Sequence, residues 1–135
     1  MHASKKPYLI EFPKIGDVSI GFISVAEKEG LPFPVKRVFW TYHLAMDLKR
    51  TAHAHHKLEQ ILLAVAGKII VYTELLSGEK QEFVLDKPNV GLYLPQMCWH
   101  QIQYQDHAAQ VSIASTEYDE QDYIRDYNEF IKKAI

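Results

Sequence analysis

Short apolar runs, each ended by turn-forming residues, are the feature that most limits what this chain can fold into. Tyr8–Phe12 and Ser19–Val25 are strand-like and are separated by Pro13 and Gly16. Gly30, Pro32 and Pro34 precede a third run, from about Val35 to Leu44. The β-branched Ile69, Ile70, Val71 and Thr73 make Lys68–Leu76 a strand, and Ser77-Gly78 turns it back into Glu82–Leu85 as a hairpin. Pro88-Asn89 leads into Val90–Leu94, then Pro95 into Trp99, His100 and Ile102, and finally Val111–Ser115. This regular spacing predicts an all-β fold, a small antiparallel barrel or sandwich. The end differs. From Asp119 onward Tyr123, Ile124, Tyr127, Ile131 and Ala134 fall near helical spacing. They predict one amphipathic helix over about 119–133, with Asp119 or Glu120 at its N-terminus. No linker or repeat interrupts the chain, so one domain over 1–135 is expected.

Composition narrows the function. Fifteen Lys and Arg against seventeen Asp and Glu give a net charge of −2, which argues against a nucleic-acid surface. No apolar run approaches the ~20 residues that span a bilayer, and the polar opening Met-His-Ala-Ser-Lys-Lys lacks a signal-peptide core, so no membrane partner is expected. The single Cys98 excludes an internal disulfide and fits a reducing compartment; a soluble cytoplasmic protein is the expectation.

Chemistry concentrates between Arg50 and Gly67. In an extended chain side chains alternate, so His53, His55 and Lys57 share one face and Ala54, His56 and Leu58 the other. On a helix the two imidazoles would sit about 200° apart and would not converge. The following Ile61, Leu62, Leu63 and Val65 place the His-x-His at the start of a strand. Two imidazoles on one inward face need partners if buried, which favours a functional pair. His43, His56 and His107 read as structural or surface residues, and Cys98 as inert packing. In the third run Arg37, Phe39 and Thr41 face one way and Val38, Trp40 and Tyr42 the other. An arginine beside an aromatic ring is unusual for a plain core strand.

Two segments match cupin spacing. His53-x-His55 is followed by Gln60 and Gly67, and Pro95, Met97 and His100 occupy a P-x-G-x-x-H frame with methionine for glycine. Many cupins bind a divalent metal through two histidines, a glutamate and the later histidine. Here the glutamate position holds neutral Gln60, and Glu59 is one residue out of phase. Three histidines without a carboxylate suit iron, copper or zinc, but a metal-free polar pocket is the preferred reading.

The chain resembles the nucleotide-sugar 3,4-ketoisomerases, the WxcM-like cupin family, which act on dTDP-4-oxo-6-deoxyglucose. The resemblance rests on Lys36-Arg37-Val38-Phe39, on Arg50-x-x-His53-Ala54-His55-x-Lys57-Leu58-x-Gln60, on Gly91-Leu92-Tyr93 and on Trp99-His100. It closes with Tyr118-Asp119-Glu120-x-Asp122-Tyr123-Ile124-Arg125-x-Tyr127. It implies a cupin-type jelly-roll barrel, a homodimer, a dTDP-sugar substrate and no cofactor or metal. Imidazole titrates near neutrality and suits a reversible proton transfer at carbon. By resemblance His53 is the candidate base at carbon 3 and His55 its partner at the oxygen or at carbon 4, the order of the two being open. Arg50, Gln60 and His100 are candidates to polarise the carbonyl. Arg37 and Lys57 are candidates for the diphosphate. Tyr93 and Trp99 are candidates to stack on the base or line the sugar pocket, and read equally as core aromatics. The chain departs from the family at Ser19-Ile20, where Arg-Gly is frequent, at Thr51 for glycine, and at His56 before Lys57. These positions leave the product open between the galacto and gluco configurations. A metal-dependent cupin enzyme and a non-catalytic sugar-binding cupin are the rival readings.

Overall fold

The computed structural model describes residues 5–134. Among the described residues ten strands precede one short helix. They are β1 (Tyr8–Glu11), β2 (Lys14–Asp17), β3 (Gly21–Ser24), β4 (Arg37–Thr41), β5 (Ala54–His55), β6 (Gln60–Leu75), β7 (Lys80–Leu85), β8 (Val90–Leu94), β9 (Cys98–Ala114) and β10 (Tyr123–Ile124), followed by α1 (Tyr127–Lys132). The class is all-β, as the spacing predicts. The main sheet runs β1-β8-β6-β9-β4, with β7 also on β6, and its pairings do not close into a ring.

Two long strands organise it. β6 and β9 pair antiparallel from Gln60↔Ala114 to Leu75↔Cys98, with register shifts around Ala64, Ala66 and Lys68. On its other edge β6 takes β8 beside Gln60–Leu63 and β7 beside Ile69–Glu74. The β-branched run predicts a strand starting at Lys68, after Gly67. That glycine is instead a bend within one sixteen-residue strand, at φ 69°. Likewise His100 and Val111 belong to a single strand rather than two.

The run Ile61-Leu62-Leu63 is apolar throughout because both faces of β6 are covered there. Leu62 packs with Ile69, Val71, Leu92, Leu94 and Tyr104, whereas Ile61 and Leu63 pack with Phe12, Phe33, Tyr93 and Ile113. Alternation predicts this division of faces. β4 carries it to the surface: Val38 and Trp40 are 50% and 64% exposed, as is Tyr42 just beyond the strand at 67%, while Arg37, Phe39 and Thr41 turn inward.

The C-terminal helix is shorter than expected. Asp119 caps a 3-10 turn at Glu120–Asp122 by accepting from the Gln121 amide. Tyr123-Ile124 then extends to pair with β5, and Asp126 caps α1. Strand pairing with a distant segment overrides the local helical spacing. Ile124 and Phe130 close a small third core with Ala54. Among the described residues no helix is long and apolar enough to cross a membrane.

Candidate active site

The first half of β9 positions the histidine segment. Arg50 N–H donates to the Ile102 carbonyl (2.9 Å), His53 N–H to the His100 carbonyl (3.1 Å) and His100 N–H to the His53 carbonyl (2.9 Å). β5 then pairs with β10, Tyr123 opposite His55. Beyond His55 the chain turns. The Asp122 carboxylate accepts the Lys57 and Leu58 amides at 2.8 and 3.1 Å, and its carbonyl accepts the His56 amide at 3.0 Å. Three imidazoles converge as a result. Ring centroids are 4.6 Å apart for His53–His100, 4.9 Å for His53–His55 and 6.0 Å for His55–His100.

Burial sets their charge. It is the leading cause that lowers His55 to about 2, helped by His100, His53 and Arg37, and the leading cause that lowers His100 to about 3, helped by His53. His53 is also lowered, by burial first and then by Arg125, against the Thr51 carbonyl and Glu120. All three are therefore neutral imidazoles near pH 7. His100 Nδ1 lies 3.0 Å from the Cys98 carbonyl and His53 Nδ1 3.3 Å from the Thr51 carbonyl. A carbonyl only accepts, so each Nδ1 carries the hydrogen and each Nε2 presents a lone pair. The three rings offer nitrogen atoms within 4.8 Å of one another. Lacking a carboxylate, such a set suits a borderline ion such as zinc or copper rather than magnesium.

The cluster lies in a cavity of about 610 Å³ whose lining holds Arg37, Lys49, Arg50 and Arg125 and no carboxylate. Among the described residues, the buried side-chain polar atoms with no partner in the protein are Arg37 Nε, His55 Nε2, His100 Nε2 and Gln110 Oε1. All four residues line this one cavity. An unpartnered buried polar group costs roughly 1–3 kcal/mol, so four around one space describe a site shaped for a polar ligand.

Of the residues singled out in the sequence, Arg37, Arg50, His53, His55, Gln60 and His100 meet at this cavity. Lys57, Tyr93 and Trp99 do not. Lys57 is exposed, because the turn held by Asp122 breaks the alternation that would have aligned it with His55. Tyr93 is 1% exposed in the second core, and its hydroxyl donates to the Glu59 carboxylate, which Lys5 also contacts at 3.0 Å. Trp99 neighbours His100 on β9 and so faces the other way, packing on Tyr127 (5.4 Å) and Phe130 (5.6 Å). Burial pushes the Cys98 thiol up to about 12, consistent with inert packing.

The cavity also holds Lys49, Tyr104, Gln110, Tyr123 and Arg125, to which no local sequence pattern assigns a role at the site. Tyr104 had a signal for its placement, since His100, Ile102 and Tyr104 alternate on one strand face. Gln110 had none, because it follows the bend at Asp106 and His107, both at φ near 55°.

Comparison with known proteins places these features in context. Residues 5–134 match the family described as FdtA: WxcM-like, C-terminal. A TDP-4-oxo-6-deoxy-alpha-D-glucose-3,4-oxoisomerase from Aneurinibacillus thermoaerophilus is 36% identical over 126 residues, covering 92% of this chain and 89% of that protein. The crystal structure of QdtA, a sugar 3,4-ketoisomerase from Thermoanaerobacterium thermosaccharolyticum in complex with TDP, superposes with a TM-score of 0.88 at 32% identity, over 95% of this chain and 93% of that one. The WlaRB TDP-quinovose 3,4-ketoisomerase from Campylobacter jejuni gives 0.88 at 28% identity, over 96% and 99%.

Proposed function

The chain belongs to the FdtA, WxcM-like C-terminal family, and on that premise we propose that it moves the keto group of dTDP-4-oxo-6-deoxyglucose from carbon 4 to carbon 3. The observation that carries this reading is the gathering of the unpartnered buried polar atoms, two of them imidazole nitrogens, around one carboxylate-free cationic cavity. Arg37, Lys49 and Arg50 at the lining match a diphosphate, Arg125 being engaged by Glu120, and the two arginines supply guanidinium forks suited to its oxygens. Lys57 is left out of that role by its position.

The reaction needs a base that takes the proton from carbon 3. The C–H electron pair becomes the carbon 3–carbon 4 double bond, and the carbonyl electrons move onto oxygen 4, giving an enediolate. Oxygen 4 gains a proton, the oxygen 3 proton leaves, and a proton adds at carbon 4 as the carbon 3 carbonyl forms. Electrons stay within the sugar, so the chemistry requires no redox partner. Efficient proton transfer favours a group whose pKa is near the working pH. His53 fits better than His55 or His100, which are lowered to about 2 and about 3. We therefore assign His53 as the base at carbon 3. His55 and His100 keep lone pairs for the hydroxyl protons, and Arg50 and Gln60, which line the same cavity, are assigned to stabilise the developing oxyanion.

NMR of metal-stripped protein with the substrate in deuterated water tests this reading. A new 3-oxo sugar carrying deuterium at carbon 4 is expected, and the coupling between the carbon 4 and carbon 5 protons of the same product made in ordinary water assigns the galacto or gluco configuration. Binding without exchange would sink the isomerase in favour of a sugar-binding module. Turnover restored only by added zinc or iron would overturn the metal-free mechanism.

The active form is a homodimer. Strands β2 and β3 are exposed on both faces, with Ile15 at 57% and Ile23 at 67%, Ile20 in their connecting turn is 79% exposed, and β4 exposes an apolar face of its own at Val38 and Trp40. A two-stranded hairpin is marginal by itself, and large exposed apolar areas mark interfaces. A second copy of this chain supplies the cover. Sedimentation equilibrium should return twice the 15.6 kDa chain mass, and Trp40→Lys with Ile23→Lys should shift the protein toward monomer. A wild-type monomer would refute it.

A further inference from the structure

The segment from Tyr118 to Arg125, distinctive in the sequence, has no role in the proton chemistry described above. β10 pairs with β5, and that register lays the Tyr123 ring against both paired imidazoles, with centroids 4.4 Å from His55 and 5.2 Å from His53. The Arg125 guanidinium covers the same ring, 4.3 Å from its centroid. Glu120 grips that guanidinium with both carboxylate oxygens, accepting from Nε at 2.9 Å and Nη2 at 3.0 Å, and accepts the Tyr118 hydroxyl at 2.8 Å.

The Arg125 and Glu120 side chains are 50% and 55% exposed, and ion pairs so exposed contribute little to stability. Holding a ring in place is a use that needs geometry rather than net binding energy. The imidazoles need such help. β5 is two residues long, His55 Nε2 has no partner in the protein, and His53 Nδ1 reaches its carbonyl only at 3.3 Å. Backbone pairing sets where these residues lie but leaves rotation of the rings to packing. The two rings meet edge to face at 88°, and Tyr123 packs against both.

We propose that Tyr123 is a positioning residue for the His53–His55 pair, kept against them by the Arg125–Glu120 clasp. The kinetic consequence rests on the isomerase reading; the positioning itself does not. Misplacement of a proton-transferring group by about an ångström costs on the order of 100-fold in rate.

The test compares Tyr123→Leu, Tyr123→Phe and Glu120→Gln by steady-state kinetics on dTDP-4-oxo-6-deoxyglucose and by imidazole NMR of the substrate-free protein. Tyr123→Leu should lower kcat by about 10- to 100-fold while KM moves by less than about 3-fold, and should shift or broaden the His53 and His55 ring signals. Tyr123→Phe should recover most of that kcat and keep the ring signals sharp, since the ring and not the hydroxyl does the packing. Glu120→Gln should fall between them. Should Tyr123→Leu fail to fold, Glu120→Gln, on the exposed side of the clasp, carries the same readouts. Imidazole signals unchanged in Tyr123→Leu, or in Glu120→Gln where that variant stands in, overturn the proposal. So does a Tyr123→Phe enzyme as slow as Tyr123→Leu, which would make the hydroxyl the working group. Wild-type protein without turnover, but with ring signals that respond to these substitutions, would refute the isomerase reading and leave the positioning standing.

Discussion

Replacing His53 with asparagine should lower turnover by about 10²- to 10⁴-fold, the usual worth of a positioned general base. Asparagine keeps the approximate size and a hydrogen-bond donor, but its amide does not accept a proton from carbon. The neighbours are poor substitutes. Burial holds His55 near 2 and His100 near 3, so neither retains a carbon-derived proton long enough to return it. KM should change little, because the cations that meet the diphosphate are untouched, and a fall in kcat and kcat/KM together marks a transition-state role. Solvent deuterium entry measured over the first turnover checks this directly. An asparagine variant exchanging at a wild-type rate would transfer the role to another group. The pH profile of the wild-type enzyme supplies the sign. Imidazolium accepts no proton, so the rate falls as pH drops through the pKa of the base. Burial lowers that pKa from its ordinary 6.5, so the acid limb should be centred below pH 6.5 in a chemistry-limited assay. A limb centred above 6.5 speaks for a different base.

Gly67→Ala should destabilise the fold by about 2–5 kcal/mol, combining the left-handed backbone penalty with overpacking. At φ 69° an added Cβ would lie 2.5 Å from the Asp106 carbonyl oxygen and 2.6 Å from the Ala108 N and Cα. These are backbone atoms of the facing strand, which have no side-chain rotation to offer. The glycine sits where the β6–β9 register shifts, so relief there would require re-pairing the two longest strands. Gly78 is the control. It is also left-handed, at φ 92°, but nothing lies within 4 Å of its missing Cβ. Its alanine variant should cost only about 1–2 kcal/mol, the conformational part. Urea titration of the two variants separates these values, and the Gly67 variant should melt lower by about 10 °C or more. A Gly67→Ala protein no less stable than Gly78→Ala would mean that β6 does not need its bend.

Much of the site was legible because strand alternation is a local property. Arg37, Phe39 and Thr41 share an inward face, and the His53-x-His55 spacing delivers both imidazoles to one surface. The same rule puts Trp99, next to His100, on the other side of the strand, away from the pocket. Glu59 and Gln60 divide as adjacent residues must, one toward Tyr93 and one into the cavity.

Other features depended on contacts that no local pattern encodes. Lys57 leaves the histidine face because a carboxylate sixty-five positions later captures its amide and turns the chain. The helical spacing after Asp119 yields to β10, which gains its hydrogen bonds only once β5 lies beside it. Gly67 reads as the end of one strand and proves to be the bend of a longer one, because the facing backbone of β9 completes the ladder across it. The sequence by itself thus determined which residues share a face, since the pleat repeats every two residues whatever surrounds it. The tertiary structure alone decided where that repeat is broken and which distant strand supplies the third imidazole and the tyrosine, since those choices are made by hydrogen bonds and packing between segments far apart in the chain.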